Sequence, residues 1–254
     1  MIYRIAIPFL AVFQVHWTTA GAQQDPDLCA SAPIPMIYIP AGPTTIMSPR
    51  PDDPAQQLSS VTVEVDGFCI SRDEIPARLY GLCIDEGACE PSFGPQDGPD
   101  YPVHSITYED TQTFVAWLSE EHDREYRLPS EAEWQRAALG GLADRYPWRV
   151  VGRLPRLNIF SDAIWPIGQS SENEFGVRDA IGNVAEFVDG CFTSDEARFE
   201  SGGGAVEVDD CHFRLTKGGH YSVPAFALSP FFRSQVPAAF ASRSIGFRIA
   251  HTAD

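Results

Sequence analysis

A chain of 254 residues has room for one large domain or two small ones, and its 35 acidic against 18 basic residues give a formal net charge of −17. That balance argues against nucleic acid and against anionic membrane surfaces as partners, since both would repel it. It suits a well-solvated exported protein, or one that gathers calcium.

The first residues read as a targeting segment. Arg4 gives a short positive start, Ile5 to Val15 is mostly apolar, and Ala20-Gly21-Ala22 offers a small-x-small cleavage site. Residues 1–22 are therefore expected to be a signal peptide, followed by a proline-rich leader over 23–33 and a single domain over 34–254. The apolar run is short and interrupted by Pro8 and Gln14, so no membrane span is expected once it is cleaved. The expected location is periplasmic or secreted. Six cysteines, an even number, fit such an oxidising compartment. Cys83 and Cys89 bracket a short loop and are expected to pair. Cys191 and Cys211 flank an acidic, glycine-rich excursion that they would close. Cys29 is left for Cys69, although six cysteines allow 15 connectivities and sequence alone leaves the choice open. No spacing among them suggests zinc.

In chain order, Met36 to Ile39 is a short apolar run stopped by Pro40, Gly42 and Pro43, which predicts a first strand. Pro49 to Gln57 is polar and proline-rich and reads as a loop. Val61, Val63 and Val65 alternate with polar residues, predicting a strand with one buried face. Arg72-Asp73-Glu74 follows, then a helical stretch over Ile75 to Cys83 and a long loop over Glu86 to Tyr101. Thr107 and Asp110 form a capping pair for a helix reaching about Glu121. Ser130 and Glu133 form a second capping box, with Trp134 as a core anchor and Gly140-Gly141 as the stop. From Ala143 onward little helix is expected. Residues 192–211 read as an exposed insertion, and Phe213 to Lys217 and Ile245 to Ala250 as the last strands. The long segment from Gly218 to Ser244 is of the kind that is either functional or disordered.

The stretch Phe175 to Gly190 joins these parts. Its glycines force sharp turns while Val177, Ile181, Val184, Phe187 and Val188 are apolar enough to bury. Asn183 and Glu186 are the hard oxygen donors that calcium accepts. The alternative for both is hydrogen bonding to neighbouring backbone.

The run Arg127-Leu128-Pro129-Ser130-Glu131-Ala132-Glu133-Trp134 resembles the signature of the formylglycine-generating enzyme (sulfatase-modifying factor) family. Further matches follow in order: Met36 to Gly42, Val65 to Ile70, Tyr101-Pro102-Val103, Tyr146-Pro147-Trp148, Asn173 to Asp179, Gly182 to Phe187, Lys217-Gly218-Gly219 and Ile245 to Arg248. The likeness covers roughly residues 34 to 251. It implies an α+β domain of variant C-type-lectin-like fold, loop-rich with short strands and a few helices, carrying structural calcium. By the same likeness, Asn183, the Val184 carbonyl and Glu186 would hold one ion. Asn158 and Ile159 would begin a second site, whose later carboxylate is reduced here to Asp162.

The likeness fails at the chemistry. The family's oxidation of a substrate cysteine uses two cysteines that bind copper(I), six and eleven residues after the lysine that opens Lys217-Gly218-Gly219. Those positions are Val223 and Leu228, and no cysteine follows Cys211. Copper(I) requires soft thiolates, so neither copper nor that mechanism is expected. His220, Tyr221, Arg233 and Arg243 fall where the family's groove is lined. His220 could serve as a base, and the arginines could clamp a carboxylate or sulfate; structural roles are the competing reading. The expected function is an exported binding or maturation factor with an unknown exported protein or small-molecule ligand as partner. The alternative is a cysteine-independent oxidase of the same family.

Overall fold

The computed structural model describes residues 29, 33–50, 53–94, 96–141, 156–192, 201–205 and 211–253. The expected signal peptide, most of the leader, the Tyr146-Pro147-Trp148 match and most of the 192–211 insertion lie outside these residues. Among the described residues no helix is long and apolar enough to cross a membrane.

The chain enters through β1 (Met36–Ile39), which pairs antiparallel with β4 (Phe68–Ser71). On its other side β4 pairs with β9 (Ala250–Thr252), so residues from both ends of the domain share one three-stranded sheet in the order β1-β4-β9. Between β1 and β4 the chain runs out and back as a ribbon of β2 (Gly42–Arg50) and β3 (Asp53–Val65). This corrects the expected loop over Pro49 to Gln57. Proline is tolerated because each strand of a two-stranded ribbon has a free edge where no N–H is required. Val63 and Val65 are buried as the alternation predicts, whereas Val61 stays exposed.

Three helices follow. The first, α1 (Ala77–Asp85), starts two residues later than expected, after Pro76. The second, α2 (Tyr108–His122), carries the predicted capping box: the Thr107 side chain accepts from the Asp110 amide while Asp110 accepts from the Thr107 amide. The third, α3 (Glu131–Leu139), has the equivalent box from Ser130 and Glu133 and ends at Gly140 in the left-handed region. Trp134 is buried, as an anchor should be.

A four-stranded sheet in the order β7-β6-β5-β8 completes the domain, from β5 (Ala185–Cys191), β6 (Phe213–Lys217), β7 (Ser234–Pro237) and β8 (Ile245–Phe247). The predicted last strand over Ile245 to Ala250 is in fact two. β8 runs parallel to β5 in this sheet, and β9 joins the other, with Arg248 and Ile249 at the switch. One apolar core lies between the ribbon, α3 and the Val177–Ile181 loop, a second between α1, α2, β5 and β8. Residues 201–205, expected to be exposed, fold back instead: Asp66 N donates to Gly202 O, and Ser130 Oγ donates to Gly203 O.

All six cysteines form disulfides, Cys29–Cys69, Cys83–Cys89 and Cys191–Cys211, which is the expected pairing.

Candidate functional site

The loop before β5 is pinned by its own side chains. Asn183 adopts φ 47, a left-handed conformation that asparagine tolerates. Beside it Gly182, at φ 88, lies so close to the Asn158 carbonyl that a Cβ there would stand 2.3 Å from that oxygen. Asn183 Oδ1 accepts from Asn158 Nδ2 at 2.8 Å and from the Trp165 amide at 2.9 Å. Its Nδ2 donates to Glu74 Oε2 at 2.7 Å, and the Val184 amide donates to Glu74 Oε1 at 3.2 Å. Burial pushes the Glu74 carboxyl well above the usual range, with Asp179 and Glu186 adding to the effect. Glu74 was missed in the sequence because its acceptors' partners lie more than 100 residues away.

Glu186 is fully buried and faces a cation of this chain. Arg248 donates to it twice, from Nε and from Nη2, each at 2.6 Å, and Trp134 Nε1 adds a third bond at 2.7 Å. Calcium takes six to eight oxygen ligands. Here the Glu186 oxygens are held by a guanidinium and an indole, Asn183 Oδ1 by two N–H groups, and Asn158 Oδ1 by Ser161 Oγ at 2.5 Å. Ile159 packs against the first core. These donors do not fit the calcium cages that the family likeness implies. Excess chelator should therefore leave the melting temperature unchanged. A fall of several degrees would return the ion to this loop, because a ligand bound only by the native state must stabilise it.

The 218–244 segment is anchored on the same loop: the Tyr221 amide donates to Asn183 O at 3.0 Å, and Ser161 N donates to Tyr221 O at 2.9 Å. His220 is half-buried, rests edge-on to Tyr221, and has its pKa lowered by burial. Arg233 turns inward instead. Its Nε lies 3.0 and 3.1 Å from the two oxygens of Glu131, which also pairs with the buried Lys217 at 3.1 Å. Lys217, the motif lysine, is thus a structural ion. Arg243 is exposed and bonded to Asp97, so both arginines of the expected groove are paired with an acid of this chain. Phe226 (63 % exposed) and Phe240 (44 %) leave the segment an open aromatic surface, with Phe232 edge-on to Phe226.

Asp97 also accepts from His104 Nε2 at 3.0 Å. Burial depresses the His104 pKa, against the pull of Asp97. Unfolded histidine takes up its proton near pH 6.5, while the folded chain resists until lower pH. The stability present above about pH 6.5 is therefore lost as pH falls below it. For Asp97, burial alone would raise the pKa, but hydrogen bonds from Arg243 and His104 outweigh it and hold the carboxyl low, adding a second loss at more acid pH. In urea titrations, His104→Gln should flatten the decline just below pH 6.5 and leave the more acid one. An unchanged profile would show that His104 is not its source.

The chain matches the Sulfatase-modifying factor enzyme 1-like domain over residues 24–253, and it belongs to that family. It is 29 % identical over 146 residues to the formylglycine-generating enzyme of Thermomonospora curvata, covering 49 % of this chain and 46 % of that one. It is 30 % identical over 113 residues to the inactive C-alpha-formylglycine-generating enzyme 2 of Bos taurus, covering 38 % and 35 %. The chain thus spans less than half the length of these curated relatives. Among solved structures, PvdO from Pseudomonas aeruginosa superposes with a TM-score of 0.71 at 26 % identity, covering 85 % of this chain and 94 % of that one. The α+β, loop-rich fold expected from the sequence is the fold of these neighbours.

Proposed function

We propose that this is an exported family member that does not oxidise cysteine and instead binds a ligand or a partner protein through the 218–244 segment, acting as a maturation factor. The observation that carries this reading is the fate of the two positions where the family places its copper thiolates. Leu228 is fully buried in the first core, and Val223 packs against that core. Both are held in place as packing residues: a Cβ on Gly219 would meet Val223 Cγ2 at 3.0 Å. Every cysteine of the chain is in a disulfide, so no thiol stands in for them. A family member described as inactive has a precedent in the Bos taurus relative. Export is supported by the three disulfides and by the signal peptide expected from the sequence.

Two measurements test the reading. Incubated in air with copper(I) and a cysteine-containing sulfatase-motif peptide, beside the Thermomonospora curvata enzyme as a positive control, the protein should give no aldehyde; turnover would sink the proposal. For the binding arm, a photo-crosslinker at Phe226 should trap a defined ligand or partner from the exported fraction. Phe240→Ser should reduce the yield without lowering the melting temperature. Equal yields from the parent and the variant would remove the aromatic surface from the argument.

A further inference from the structure

A pocket of about 280 Å3 opens where β4 ends, on a part of the surface to which none of residues 218–244 contributes. Its charged lining comprises Arg72, Asp73, Glu74, Arg78 and Arg178. Two of these side chains bring a buried polar atom that nothing among the described residues satisfies.

Asp73 is only 7 % exposed. Its Oδ2 accepts from Arg72 Nε at 3.0 Å, while Oδ1 is buried without a donor. Arg178 Nη2 holds Glu172 Oε1 at 2.5 Å, while Nε is buried without an acceptor. Both groups face the bare side of Gly168, another wall of the pocket. A Cβ there would lie 3.2 Å from Arg178 Nη1 and 3.9 Å from Asp73 Oδ1. Gly168 has φ +77, so its backbone also disfavours a side chain that would fill the space.

The two orphan atoms make opposite demands. Asp73 Oδ1 requires a donor and rewards a positive one; Arg178 Nε requires an acceptor and rewards a negative one. Arg72 commits its Nε to Asp73, and Arg78 commits its Nη1 to Asp100, so each has further N–H groups to offer. Glu74 does not compete for a cation, since both its oxygens serve Asn183 and Val184. The volume is at the small end of ligand pockets. In an α-amino acid the ammonium and the carboxylate are carried on one carbon, which matches two opposite charges gathered around one glycine.

We propose that this pocket binds a free α-amino acid, with its ammonium on Asp73 Oδ1 and its carboxylate on Arg178 and Arg72. The site is separate from the aromatic surface, and neither reading depends on the other.

Titration calorimetry of the whole chain against the standard free amino acids tests it, with L-alanine, ethylamine and propanoate as a matched trio. At least one free amino acid should saturate one site per chain. For the trio, the amine or the acid alone should bind at least about tenfold more weakly than the molecule carrying both charges. Asp73→Asn and Arg178→Lys should each weaken the amino acid about tenfold, and if one variant fails to fold the other carries the test. The proposal is overturned if no amino acid binds at millimolar concentration, if either single-charge analogue binds equally well, or if both variants bind as the parent does. Ordered water would then be what satisfies the orphan atoms.

Discussion

Replacing Arg248 with alanine should destabilise the domain by about 3–5 kcal/mol, because it strands a buried carboxylate. Arg248 is fully buried and bonds three other segments of the chain at once. Besides its two bonds to Glu186 on β5, Nη1 donates to the Ser71 carbonyl at 3.0 Å and the Arg72 carbonyl at 3.3 Å, and Nη2 to the Arg178 carbonyl at 2.9 Å. Urea unfolding measures the loss. The double variant Glu186→Gln with Arg248→Met should recover part of it, since the uncompensated charge is gone, and the cycle isolates the pair. If Arg248→Ala costs less than about 1 kcal/mol, as an exposed pair would, the ion pair is not what joins the two sheets.

The second large effect is expected at Cys29–Cys69. The bridge closes a sequence separation of 40 residues, and loop-closure entropy of that length corresponds to about 4 kcal/mol. Cys69 is fully buried in the central strand of the β1-β4-β9 sheet, so the bridge ties the leader to the middle of that sheet. The double variant Cys29→Ala, Cys69→Ala should lose roughly that amount in urea unfolding under oxidising conditions. A loss below about 1 kcal/mol would mean that the reduced, unfolded chain is already restricted, so that the cross-link removes little entropy.

Local chemistry was legible in the sequence. The Thr107/Asp110 and Ser130/Glu133 boxes involve residues three apart, and both formed as read. The spacing of Cys83 and Cys89 likewise anticipates their bond. Features that depend on distant partners were not legible. Nothing in the run Arg72-Asp73-Glu74 itself announces that Asp73 and Glu74 are buried, because the residues around them come from 167–184. The calcium reading of Asn183 and Glu186 rested on their hard oxygens and on family likeness, and in the structure those oxygens accept from Asn158, Trp165, Arg248 and Trp134. The break at Arg248 was hidden for the same reason: Ile245 to Ala250 is apolar apart from Arg248, and only the positions of β5 and β4 decide that its halves go to different sheets.

Because β4 sits between β1 and β9, the earliest strand pair of the domain stays open along one edge until residues 250–252 arrive. A ribosome releasing this chain from its N-terminus cannot finish that sheet, however early β1 and β4 meet. The domain's closure therefore waits on residues 250–252, in whatever order its earlier elements form.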